Sequence, residues 1–129
     1  EDIHLDERWF YIREAKTEAG IREVPIAEKI VPYIQYWMKK NCDYLICTPD
    51  EKHFKYRNYY DSYWTPLMEQ MNLTHRPHDT RHTCVSLLTE AKVDERIIKK
   101  IVGHKGQGVT ETVYTHLELP IKLEAINSI

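Results

Sequence analysis

The sequence predicts a mainly helical α+β domain with one small antiparallel β-hairpin, and three observations carry that prediction. Apolar residues recur at helical spacing through most of the chain after Ala27. A β-branched and aromatic run is confined to the segment before it. With 129 residues, 42% of them hydrophobic and 29% charged, the chain is long enough to bury a core.

Arg8-Trp9-Phe10-Tyr11-Ile12-Arg13 has the composition of a strand. Ala15 to Gly20 supplies a turn, with Lys16 close to its tip, and Ile21 to Ile26 alternates as a second strand. Pro25 cannot donate to a central ladder, which puts that strand at a sheet edge. Ala27 to Lys40 reads as a helix through Ile30, Ile34, Trp37 and Met38. Asp43 to Thr48 is an apolar run expected to be extended and buried. Arg57 to Asn72 carries a helical stripe of Tyr60, Trp64, Leu67 and Met71, which Pro66 must kink or break. Pro77 suits the first turn of a helix reaching about Ala91, with Arg81, Val85 and Leu88 on one stripe and Cys84 and Ala91 alongside. Asp94 is a good N-cap for a helix buried through Ile97, Ile98, Ile101 and Val102, and Gly103 stops it. Gly106 and Gly108 imply a loop, and Thr110 to Leu117 one or two turns. Pro120 to Ile129 is a last amphipathic segment with Leu119, Leu123 and Ile126 as its stripe. Trp9, Tyr36, Trp37 and Trp64 read as core.

Composition narrows the function. No apolar run approaches the ~18 residues of a membrane span. The chain opens directly on Glu1-Asp2-Ile3, which is no signal peptide and reads as a piece of something longer. Cys42, Cys47 and Cys84 are an odd number without a disulfide-framework spacing, so free thiols in a reducing cytosol are expected. The formal net charge of -2 argues mildly against nucleic acid. Its distribution argues the other way, since Thr74 to Lys105 holds seven Lys and Arg against four acids. A local basic face on a neutral protein is compatible with DNA.

His78-Asp79-Thr80-Arg81 sets His78 and Arg81 three apart, on one face of a helix start. The free N–H groups and dipole of that terminus favour an anion. Arginine can bind phosphate or carboxylate with two hydrogen bonds, and a structural Asp or Glu would serve as well as a ligand. Gly103-His104 then closes a helix, and Tyr114 follows in Thr112-Val113-Tyr114-Thr115-His116.

In that order and spacing these words resemble the signature of the tyrosine recombinases, the phage integrase family. His78-Asp79-Thr80-Arg81-His82-Thr83 looks like the family's usual phrase, and Ile101-Val102-Gly103-His104 is close to another. Lys16-Thr17 followed by Arg22-Glu23-Val24-Pro25-Ile26 is similar to its β-hairpin lysine segment. The resemblance implies cleavage and rejoining of DNA through a 3′-phosphotyrosyl link. Tyr114 would be the nucleophile, Arg81 the phosphate clamp and Lys16 the general acid. His78 and His104 would bind the phosphate or handle the Tyr114 proton. It implies no cofactor or metal, phosphate contacts from Arg76, Lys99, Lys100 and Lys105, and a prokaryotic cytoplasmic protein acting on double-stranded DNA. The segment 120–129 can fold back on its own core, whereas the resemblance implies homo-oligomerisation as a tetramer through it. The family's first catalytic arginine and DNA-clamping domain precede the hairpin; Arg8 and Arg13 lie in the expected strand and do not replace that arginine. The 129 residues alone are therefore expected not to complete strand exchange.

Two other readings are open. His78 and His82 have the i, i+4 spacing of zinc ligands, although Asp79 stands where a zincin has Glu and Arg81 opposes a cation. A DNA-binding or oligomerisation module without catalysis would use Lys92, Arg96, Lys99 and Lys100 as phosphate contacts.

Overall fold

The computed structural model describes residues 2–104 and 118–129. The chain divides into two compact units, Glu1–Val31 with Thr83–Ile129, and Pro32–His82. It is mainly helical with one small antiparallel sheet, as the sequence predicts.

In the first unit β1 (Ile3–His4), β2 (Trp9–Ile12) and β3 (Arg22–Pro25) form a sheet in the order β1-β2-β3. The expected strands are present within about a residue at each end, and Pro25 does lie on an edge strand. β2 and β3 pair Trp9 with Pro25 and Ile12 with Arg22. The sequence does not announce β1, because two residues among Asp2, Asp6 and Glu7 have no visible period. Register explains it: His4 lies opposite Trp9 and their rings stack at 3.9 Å. Between β2 and β3 the chain makes a long loop with a 3₁₀ turn at Glu18–Gly20, and Lys16 lies exposed just before that turn.

The helices of this unit assemble the main core. α4 (Asp79–Glu90) contributes Leu88. α5 (Glu95–Val102) contributes Ile98, Ile101 and Val102, and α6 (Glu118–Asn127) contributes Ala125. Cys84, Val85, Val93, Ile97, Ile126 and Ile129 pack around them. α5 and α6 lie on β3 and on each other. Ala91, expected beside the α4 stripe, is exposed: the helix ends at Glu90, and Lys92 turns left-handed at φ 63° to bring Val93 back to the core. The buried face of α6 is also not quite the expected one. Lys122 and Ala125 are buried while Leu123 is only partly so. The Lys122 ammonium donates to the Glu23 carbonyl at 3.0 Å, which lets a charged residue face the sheet.

The second unit contains most of α1 (Val31–Met38), then α2 (Tyr56–Tyr59), a π turn (Tyr60–Trp64) and α3 (Thr65–Gln70). It ends at His82, inside α4. The break caused by Pro66 takes the form of that π turn. Pro66 has no N–H for the carbonyl four residues back, and the Thr65 N–H reaches Tyr60 O instead. Two sequence expectations fail here. Asp43 to Thr48 is a succession of bends that meets His53 through one bridge at Cys47. Only Cys47 of this run is buried, while Tyr44 and Ile46 are about half exposed, because the run pairs with no sheet. Tyr36 is exposed rather than core, edge-on to Trp37, and Trp9, Trp37 and Trp64, expected in the core with it, are only partly buried.

All three cysteines are free, with Cys47 buried and Cys42 and Cys84 partly so. Burial pushes both the Cys47 and Cys84 thiols above their ordinary range, Cys42 adding to the effect at Cys47. Among the described residues no helix is long and apolar enough to cross a membrane.

Candidate active site

At the start of α4 the chain is wound tightly by its own polar groups. The Asp79 carboxylate accepts the Arg76 N–H at 2.8 Å, and the Thr80 hydroxyl donates to Pro77 O at 2.6 Å. The bond from the Arg76 amide is the main reason the Asp79 carboxyl is held below the usual carboxylate range. Upstream, the Trp64 indole donates to His75 O at 2.7 Å, fixing the approach to the helix. The sequence suggests no more than a core role for Trp64, since nothing local joins it to a loop 11 residues on.

His78 stands in the turn that opens α4 and is exposed; Arg81 is in the first helical turn and half-buried. Among the described residues no carboxylate forms an ion pair with Arg81. That removes the structural ion pair that the sequence left open among these residues. By contrast Arg8 pairs with Glu28 at 3.3 Å and Arg13 with Asp2.

The other sequence-predicted residues lie in the first unit. Lys16 is exposed on the β2–β3 loop, and His104 is exposed directly after α5. α5 is closed as expected by Gly103 at φ 73°, with the amides of Gly103 and His104 both donating to Lys99 O, at 2.8 and 3.0 Å. Arg22, part of a sequence motif but without a role legible there, reaches this corner. Its Nε donates to Ile101 O at 2.9 Å and its Nη1 to Gly20 O at 2.7 Å. A β-carbon at Gly103 would come within 2.6 Å of Arg22 Nη1 and 2.9 Å of Ala19 O, so space as well as φ requires glycine.

Of the expected phosphate contacts, Arg76 is exposed, and Lys99 and Lys100 are half-buried on α5. Lys99 also pairs with Glu95 at 2.8 Å. Tyr114 and Lys105 lie outside the described residues, as do the loop at Gly106 and Gly108 and the turns expected from Thr110 to Leu117.

The His78 and His82 rings meet edge-on at 5.4 Å between centroids. Asp79, the neighbour a zincin would use as base, is turned toward Arg76 N–H and lies 3.8 Å from His75 Nδ1. Among the described residues no three His, Cys, Asp or Glu side chains are grouped so as to hold a metal ion.

Known proteins place these words in a family. The model of the phage integrase family matches residues 1–119. The tyrosine recombinase XerC of Proteus mirabilis is 29% identical over 105 residues, covering 75% of this chain and 34% of the relative. The tyrosine recombinase XerA of Pyrococcus furiosus is 25% identical over 132 residues, covering 98% of this chain and 45% of the relative. The integrase of Staphylococcus phage L54a is 38% identical over 66 residues, covering 45% of this chain and 19% of the relative. No solved structure matches at a significant level. The chain thus spans less than half the length of these curated relatives. With the family model matched from the β-hairpin into α6, the chain belongs to the phage integrase family of tyrosine recombinases.

Proposed function

We propose that this chain is the C-terminal catalytic part of a site-specific DNA recombinase that cuts and rejoins strands through a 3′-phosphotyrosyl intermediate. The observation that carries the reading is Arg81, half-buried in the first turn of α4 with no carboxylate ion pair among the described residues. A guanidinium so placed has its charge and its fork available for an oxyanion. Family membership supports a DNA phosphate as that anion.

The chemistry follows from the difficulty of the step. A tyrosine hydroxyl has a pKa near ~10 and is a weak nucleophile at neutral pH. A phosphodiester is anionic and resists attack. Arg81 and His78, beside a helix N-terminus, offset the charge that grows on the non-bridging oxygens. The Tyr114 oxygen bonds to phosphorus as its proton passes to a histidine, His78 or His104. The bond from phosphorus to the 5′ oxygen breaks, and the Lys16 ammonium gives that oxygen a proton. A free 5′ hydroxyl and a 3′-phosphotyrosyl bond result, and reversal with a different 5′ hydroxyl rejoins the strand. No external energy source is required, because one phosphoester replaces another.

Double-stranded DNA is the proposed partner, touched on its phosphates by Arg76, Lys99, Lys100 and Lys105. A tetramer on DNA, joined by exchange of the helix segment 120–129, completes the proposal. Sedimentation showing only single copies on an authentic site would remove that last part.

Covalent trapping on a nicked suicide DNA, comparing the full-length protein with Tyr114→Phe, tests the function. A denaturation-resistant protein–DNA adduct that vanishes in the variant is expected. Persistence of the adduct in the variant rejects Tyr114 as nucleophile. Absence of any adduct from protein bound to its authentic site favours a non-catalytic DNA-binding module.

A further inference from the structure

We infer that Arg22 is a positioning residue for DNA cleavage, tying the loop that carries Lys16 to the corner that presents His104. The inference rests on the recombinase reading above and goes beyond it in naming a residue that acts through others.

Arg22 opens β3, and its guanidinium joins two segments that are far apart in sequence. On one side Nη1 holds Gly20 O, the end of the 3₁₀ turn that follows Lys16. On the other, Nε holds Ile101 O in the last turn of α5, two residues before Gly103. The carbonyls of a helix C-terminus lack intrahelical donors and carry the negative end of the dipole, so a cation is doubly suited there. Only a planar fork with several N–H groups can bridge both carbonyls at once; an ammonium on a flexible stem cannot hold both directions.

Gly103 makes the junction closer still. A β-carbon there would collide both with the Arg22 head group and with the backbone of Ala19. The α5 corner is therefore in direct contact with the loop as well as bonded to it. Lys16 and His104 are exposed side chains on irregular backbone, where position is ordinarily poorly fixed. The Arg22 bridge gives both a common support. Two of its N–H groups are committed to backbone carbonyls on either side of the junction, which is the geometry of a residue that places others.

The test compares Arg22→Gln and Arg22→Lys with wild type and Lys16→Ala in the full-length protein. Each is given suicide DNA carrying either oxygen or sulfur at the scissile 5′ position. A thiol has a pKa near ~8.5, so sulfur departs as a thiolate without a proton and the contribution of Lys16 drops out. The expected result is that Arg22→Gln cleaves the oxygen substrate about 10- to 100-fold more slowly, the scale of an ångström-sized misplacement. On the sulfur substrate, which needs no proton from Lys16, Lys16→Ala should recover to within a few-fold of wild type. Arg22→Gln should recover most of its loss there, keeping only the part owed to His104, with DNA affinity unchanged. Equal slowing on both substrates, or no slowing, would overturn the inference, since a residue that only holds the fold has no reason to favour one leaving group. If Arg22→Gln does not fold, Arg22→Lys takes its place, and the same two outcomes decide between support and rejection. Failure of the reading beneath it looks different: wild type then forms no adduct on either substrate, or Tyr114→Phe forms one, and the inference falls with it.

Discussion

Asp94 accepts the Arg96 N–H at 2.8 Å, and its two carboxylate oxygens meet the Arg96 guanidinium at 3.0 and 2.9 Å. The side-chain bonds first, and the backbone bond second, lower its pKa from 3.8 to about 2. A depressed folded-state pKa adds stability that is present above the unfolded value and lost as pH falls through the folded one. Asp94→Asn should therefore melt a few degrees below wild type near neutrality, with the gap closing between about pH 4 and pH 2; thermal melts across that range check it. A gap that does not change with pH would assign the loss to something other than this carboxylate. Asp94 was legible in the sequence because an N-cap acts on residues two positions away. Arg22 was not, because its partner Ile101 is 79 residues distant and no local pattern marks it. Arg81 lies between these cases. Its place on a helix start was readable from Pro77 and the His78 spacing, whereas the lack of a carboxylate partner among the described residues required coordinates.

Elements followed the sequence where a period ran long enough to be seen. α5 has its apolar face, N-cap and stop within one short stretch, and all appear as expected. The run from Asp43 to Thr48 has apolar residues but no alternation, and it forms neither a strand nor a buried segment. Pro66 announced a break but not its kind; the π turn is how the backbone accommodates a missing N–H while remaining helical. For α6 the sequence left open whether the segment 120–129 covers its own core or a neighbour's. In this chain it does the former, with Ala125 in the core, Lys122 bonded to β3, and the Asn127 side chain accepting the Glu28 N–H at 2.8 Å. Deleting Pro120–Ile129 should therefore destabilise the first unit itself, lowering its melting temperature clearly in the absence of DNA. An unchanged melting curve would mean that these contacts contribute little in the isolated chain.

At the scale of the molecule, the buried core and the residues proposed for chemistry have different distributions. Leu88 is fully buried at the centre of the cluster that joins α4, α5 and α6. Leu88→Ala should cost about 2–5 kcal/mol through lost burial and a residual cavity. That is a large share of the ~5–15 kcal/mol that holds an ordinary domain folded. Denaturant titration measures it, and a loss below about 1 kcal/mol would show that the site collapses to fill the space. The residues assigned to chemistry do not share this core. Lys16 and His104 belong to one unit and His78 and Arg81 to the other, each at a loop or a helix end. Such positions are where a backbone can present polar groups without burying them.

The fold class, the hairpin, the faces of α4 and α5, and the ordered set of words that marks the family are all written in the amino-acid order. These depend on periodicity, caps and near-neighbour chemistry, which act over a few residues along the chain. Folding in three dimensions was needed to bring β1 into the sheet, to bury Lys122 beneath it, and to set Arg22 between Gly20 and Ile101. Each of these depends on which distant carbonyl or ring comes to lie opposite a given side chain. That is fixed by packing and register, and no local pattern records it.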